Sequence, residues 1–173
     1  TGLWVLSLFD GIGCVAYALR QLGIPVEEYI GCDIDDDKKN VDIVSENLNP
    51  KSSRFPGIHR IKEQNVDGIT EDVIIKLGRI DLVIGGPPCQ HMSKAHLLQD
   101  RQGRRGRPGP GLQGKHGRLF KVMVDIIGLV MKHNPDATYV LENVQFDHLE
   151  KDWAQAEAWM GKPLLVDCRD FSY

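Results

Sequence analysis

A chain of 173 residues, 42% hydrophobic and 26% charged with a formal net charge of -3, has room for one domain with a substantial core but not for two ordinary ones. This composition excludes a disordered chain, and no apolar run reaches the length a bilayer helix needs, so no membrane partner is expected. The four cysteines, Cys14, Cys32, Cys89 and Cys168, are scattered without a C-x-x-C pair, which argues against structural zinc and against a secreted disulfide framework, and favours a reducing compartment.

The chain opens on Thr1 and enters a core-like strand almost at once, so it reads as a piece of a longer protein. Leu3 to Phe9 is that strand, and Gly13 to Leu22 a helix that Gly23 can close in a left-handed conformation. Glu28 to Cys32 is a second strand. A helix from Asp35 to Leu48 follows, its early aspartates suited to its positive end. A loop with Pro50 and Pro56 leads to a weaker strand near His59 to Lys62. Thr70 can cap a short helix with Glu71 and Asp72 in its first turn and Gly78 after it.

Ile80 to Ile84 is a fourth strand, a short apolar run of the kind buried in parallel sheets. After a long polar segment, Arg118 to His133 reads as a helix apolar on nearly all sides, hence buried, and stopped by Asn134-Pro135. Ala137 to Leu141 is a fifth strand, Leu149 to Met160 a helix and Leu164 to Cys168 a sixth strand. There is no internal repeat. Repeated β-α-β units predict an α/β fold, a doubly wound and mostly parallel sheet with helices on both faces.

In such a sheet the loops after strands one, two, four and five gather along one edge, where ligands bind. They carry "FDGIG", "CDID", "GGPPCQ" and "ENV". Gly11 to Ala16 matches Gly-x-Gly-x-x-Ala with Asp33 about twenty residues on, which alone is the weak dinucleotide fingerprint. Asp10 sits badly with that reading, because a carboxylate there repels a pyrophosphate. It suits a cofactor carrying an ammonium group, such as S-adenosylmethionine, with Asp33 accepting from ribose hydroxyls.

Gly85 and Gly86 allow a sharp turn or a close approach, and Pro87 and Pro88 stiffen the exit. Cys89 therefore stands on a rigid loop as a candidate nucleophile; the bland alternative is a packed structural cysteine. Glu142, at the end of an apolar strand, must be paired or neutral if buried. It is either a cap for the next helix or a proton donor beside Cys89.

"LSLFDGIG", "GGPPCQ" and "LENV", in this order and spacing, resemble the cofactor, nucleophile and acid motifs of the DNA cytosine-5 methyltransferases, over essentially the whole chain from Leu3 to Asp170. "DLVIGG", Ser93 and "GRLF" (Gly117 to Phe120) look most like the animal de novo branch; the tRNA-methylating relatives share the core motifs. The resemblance implies a Rossmann-like class I methyltransferase fold and methyl transfer from S-adenosylmethionine to carbon 5 of cytosine in DNA, through a Cys89 adduct assisted by Glu142. It implies that Phe9, Asp10, Gly11, Ile12, Gly13, Asp33, Ile34, Asn65, Val66 and Pro87 serve the cofactor, with Asn65 standing where the family usually has Asp. Pro88, Ser93 and Asn143 would face the substrate.

Between Lys94 and Lys121 lie eight Lys or Arg residues and one acid, Asp100. The resemblance makes this the loop that closes over DNA, with Arg104, Arg105 and Arg107 drawing phosphates; otherwise it is a solvated insertion. His91, His96 and His116 lack a metal-binding spacing, so no metal is expected. The family normally continues with an arginine-bearing segment, a target-recognition region and a final helix, so the resemblance implies an incomplete catalytic core, unable to methylate DNA by itself. It also implies homo- or hetero-oligomer contacts through such segments, and a nuclear location in a eukaryote or a cytoplasmic one otherwise. A regulatory paralogue would have lost Cys89 or Glu142, and a nicotinamide-binding domain would not need the pair.

Overall fold

The computed structural model describes residues 2–34, 57–60, 65–97, 106–107 and 109–171. In chain order these form β1 (Leu3–Leu8), α1 (Cys14–Gln21), β2 (Val26–Cys32), β3 (Gly57–Arg60), α2 (Glu71–Leu77), β4 (Leu82–Gly85), α3 (Arg118–His133), β5 (Thr138–Leu141) and α4 (Glu150–Met160). The helix expected over Asp35 to Leu48 lies outside the described residues.

All the strand pairs are parallel, in the order β3-β2-β1-β4-β5. From β1 the chain moves one way through β2 and β3, then returns to β4 on the other side. By the right-handed rule for parallel β-α-β crossovers, this strand order puts α1 on one face and α2 and α3 on the other, a doubly wound sheet whose direction reverses between β1 and β4. That reversal is where such sheets open a crevice.

The strand starts are tied by Asp81, whose carboxylate accepts from Trp4 N at 2.7 Å while its own N–H donates to Trp4 O at 2.8 Å. α1 turns Ala16 and Leu19 onto Val5, Val26 and Tyr29 of the sheet. Thr70 occupies the N-cap of α2, but its side chain makes no capping bond; Glu71 and Asp72 in the first turn complement the helix dipole instead.

By packing, the chain divides into two compact units: residues 1–87 with 125–142, and residues 88–124 with 143–173. The first holds the sheet. In the second, Phe146 meets Phe120 and Trp153 edge-on at 5.9 and 5.2 Å, and Lys121 Nζ lies 5.5 Å from the Trp159 ring centre.

Two expectations are corrected. α3 is not buried all round: Phe120, Met123, Ile126, Ile127 and Val130 are buried, while Asp125, Gly128 and Met131 are exposed. Its burial repeats every three to four residues, as a helix covering a surface with one face requires. Leu164 to Cys168 is not a sixth strand. Residues 162–167 are in no ladder, and Leu164, Leu165 and Val166 are exposed. An apolar run becomes a strand only beside a partner, and no described strand pairs with this one.

Candidate active site

The register puts Leu8 opposite both Cys32 and Gly85, and Gly85 opposite Leu141. Those four residues form one row at the carboxyl edge of the sheet. Phe9, Asp33, Gly86 and Glu142 are the next residues along the chain, so the structure brings three expected site positions, Phe9, Asp33 and Glu142, to one edge, with Gly86 beside them.

At the β1 end the backbone enters the left-handed region three times, at Phe9 (φ 56), Gly11 (φ 52) and Gly13 (φ 76). For Phe9 this conformation is strained. Gly13 N donates to Asp10 O at 2.9 Å, closing a tight turn. Asp33 accepts Gly11 N–H on Oδ2 at 2.7 Å, which links the ends of β1 and β2. Ile12 and Ile34 expose 43% and 73% of their surfaces at this edge. A side-chain carbon at Gly11 would have no neighbour within 4 Å. A tight glycine turn with space above Gly11, a carboxylate at the end of β2 and two uncovered apolar side chains fit a nucleoside cofactor.

Asp10 departs from its expected place. Its carboxylate does not face outward to an ammonium group: it is buried, with Oδ1 accepting from Ser7 Oγ at 2.7 Å and from the Tyr29 hydroxyl at 2.5 Å. Ser7 and Tyr29 went unremarked in the sequence. A hydroxyl and a phenol within apolar strands are weak signals until their shared partner is known. Asn65 caps the turn Val66–Gly68, its Oδ1 accepting from Asp67 N at 3.1 Å, and Val66 is buried.

At the β4 end two glycines are required by close approach. A side-chain carbon on Gly85 would lie 2.3 Å from Leu8 O, and one on Gly86 would lie 2.7 Å from Glu142 Oε2. The Glu142 carboxylate thus rests against the bare α-carbon of Gly86, while Glu142 N donates to Gly85 O at 3.0 Å. Glu142 is exposed, and among the described residues no donor reaches its carboxylate. Pro87 is buried.

In the second unit Cys89 is a half-buried free thiol whose carbonyl accepts from Met92 N and Ser93 N, both at 2.9 Å. Pro88 is half-buried, and Ser93 Oγ accepts from Ala95 N at 3.1 Å. His91 Nδ1 accepts from His116 N at 3.2 Å, with the two rings stacked at 4.8 Å. Lys94 pairs with Asp147 at 2.8 Å and holds that carboxyl below its ordinary range. Arg107 is exposed; Arg104 and Arg105 lie outside the described residues. Asn143 Oδ1 accepts from Val144 N at 2.9 Å. Cys14 is exposed at the first position of α1, and Cys168 opens a 3-10 turn in place of ending a strand.

Sheet order, crossover and the motifs at the carboxyl edge define a Rossmann-like class I methyltransferase fold. The chain belongs to the C-5 cytosine-specific DNA methylase family, whose model matches residues 3–151. It is 33% identical over 122 residues to DNA (cytosine-5)-methyltransferase DRM2 of Arabidopsis thaliana, covering 69% of this chain and 17% of that protein. It is 32% identical over 144 residues to the orphan methyltransferase M.SPRI of Bacillus phage SPR, covering 83% of this chain and 26% of the phage protein. The solved S. pombe Dnmt2 methyltransferase shares the fold at a TM-score of 0.50 and 18% identity, over 90% of this chain and 39% of that one. The chain therefore spans a minor part of the length of the relatives it matches.

Proposed function

We propose that this chain is the cofactor-binding and nucleophile-bearing part of an enzyme that methylates carbon 5 of cytosine in DNA. The observation that carries the reading is the pairing of "GGPPCQ" and "LENV" on adjacent strands, with Gly85 in register with Leu141, in a chain of this family. Gly11, Ile12, Gly13, Asp33 and Ile34 would hold S-adenosylmethionine, with Phe9, Asn65, Val66 and Pro87 around them. When bound, it supplies an electrophilic methyl group.

Cytosine resists attack at carbon 5 until a nucleophile adds at carbon 6. The Cys89 thiolate would form that bond, moving the carbon 5–carbon 6 electron pair onto carbon 5. Glu142 would hydrogen-bond ring N3 and the exocyclic amine, where charge develops. After methylation, loss of the carbon-5 proton re-forms the double bond and expels the thiolate. A base inside a duplex is out of reach, so the target must be flipped out. Pro88, Ser93 and Asn143 would face it, and the basic segment with Arg104, Arg105 and Arg107 would attract phosphates. "DLVIGG", Ser93 and "GRLF" support placing the parent protein near the animal de novo branch, with work in a nucleus.

The test is transfer of tritiated methyl groups to duplex DNA and, in parallel, to tRNA by the full-length protein that carries this sequence. Label in DNA is expected. Label in tRNA alone would replace DNA as the substrate, and label in neither would overturn the activity.

A further inference from the structure

Three buried polar side chains meet beneath the candidate cofactor loop. Ser7 and Tyr29 are 0% exposed and Asp10 is 7% exposed. A carboxylate so placed persists as an ion only when hydrogen-bonded, and both hydroxyls donate to its Oδ1. Burial, and then the charge of Asp10 and its hydrogen bond, push the Tyr29 phenol above its ordinary pKa, so it remains a donor. Gly31 leaves the space this needs, since a side-chain carbon there would lie 2.8 Å from Asp10 Oδ2.

The main chain of Asp10 is fixed as well. Its N–H donates to Cys32 O at 3.1 Å and its carbonyl accepts from Gly13 N at 2.9 Å. The loop that follows contains two glycines, whose freedom would otherwise be lost on binding a ligand. Anchoring the residue before them removes part of that cost in advance.

We infer that Tyr29 is a positioning residue for the cofactor site: through Asp10 it holds the Asp10–Gly13 loop in its ligand-binding form, an inference that rests on the cofactor reading above. The alternative is a role in the core alone, which predicts lost stability with unchanged affinity.

The experiment compares Tyr29→Phe, and Ser7→Ala as a second variant, with the unsubstituted full-length protein. S-adenosylhomocysteine affinity is measured by titration calorimetry, and amide hydrogen exchange is followed at Gly11 to Gly13. Tyr29→Phe is expected to bind about tenfold more weakly, the scale of a lost bond to a charged acceptor, and to exchange faster in the loop. KM for S-adenosylmethionine should rise while kcat at saturation changes little. Equal affinity and loop exchange in both variants, with a lowered Tm, would overturn the inference. If the unsubstituted protein fails to bind, the cofactor reading fails, and unchanged loop exchange in Tyr29→Phe then overturns the anchor separately.

Discussion

The two halves of the sheet's carboxyl edge are built differently. At the β1–β2 end the strands pair over six residues of β1, and the last four residues of each are buried. Both carboxylates there already have donors within the chain, Asp10 from Ser7 and Tyr29 and Asp33 from Gly11. At the β4–β5 end the strands pair over four residues, Val140 exposes 47% of its surface, and Glu142 is pinned by its backbone while its carboxylate stands open among the described residues. Under the proposed function, an end that binds a cofactor repeatedly would gain from being finished beforehand, and a carboxylate that meets a base flipped from a duplex would need its oxygens unspent. The first end is organised by hydrogen bonds, the second by backbone register and steric fit.

Glu142→Gln breaks the open end and should have the largest effect, lowering single-turnover methyl transfer by about 10²–10³, the scale for losing a group aimed at developing charge. Cofactor affinity should not follow, because Glu142 does not serve the β1–β2 end; a parallel loss would erase the distinction between the two ends.

Asp33→Ala attacks the finished end. It removes the acceptor of Gly11 N–H and should weaken S-adenosylhomocysteine binding by about 1–3 kcal/mol. Equal affinity by calorimetry would take Asp33 out of the site.

Gly86→Ala sharpens the comparison, since it alters fit without removing a hydrogen-bonding group. The added carbon lies within 2.7 Å of Glu142 Oε2, and the side chain, being the movable partner, should yield. An ångström of displacement can cost up to about a hundredfold, and a loss near tenfold is expected here. In a Glu142→Gln background the further loss should largely disappear. Additive losses would show that Gly86 acts on the fold and not on the carboxylate.

The smallest effect lies away from both ends. Glu71 accepts from Lys132 at 2.6 Å and lies 2.8 Å from His133 Nε2, and the hydrogen bond from Lys132, ahead of that from His133, lowers its pKa. A depressed folded value means its contribution is present above the ordinary glutamate pKa of about 4.3 and is lost as pH falls through the folded value. The pair is exposed, so Glu71→Gln should lower Tm only slightly at pH 7. That difference should vanish on acidification; a gap that persisted in acid would mean the effect is not electrostatic.

Much of the sheet was legible because β1, β2, β4 and β5 are short apolar runs ended by Gly, Asp or Glu, and local pattern carries that information. Gly85 and Gly86 were readable as a turn or close approach, but which atom approaches depends on strand order. For Gly86 that atom belongs to Glu142, 56 positions along the chain. The burial of Asp10 is hidden from the sequence for the same reason. Its neighbours in sequence suggest an outward charge, and only the β1–β2 pairing brings Tyr29 beneath it. Leu164 to Val166 shows the converse: apolar pattern without a partner strand does not make a ladder. The one-sided burial of α3 followed from a surface it covers, which the run of Val, Ile and Leu does not reveal.

The central claim is that Cys89 is the nucleophile of the proposed methyl transfer. Its most direct test is covalent trapping of a duplex containing 5-fluorocytosine by the full-length protein with S-adenosylmethionine, followed by peptide mapping of the adduct. Fluorine at carbon 5 blocks the final proton loss, so the thiol that attacks stays attached. The account predicts an adduct on Cys89 that is absent from Cys89→Ser. An adduct on the exposed Cys14, or one that survives Cys89→Ser, would contradict it.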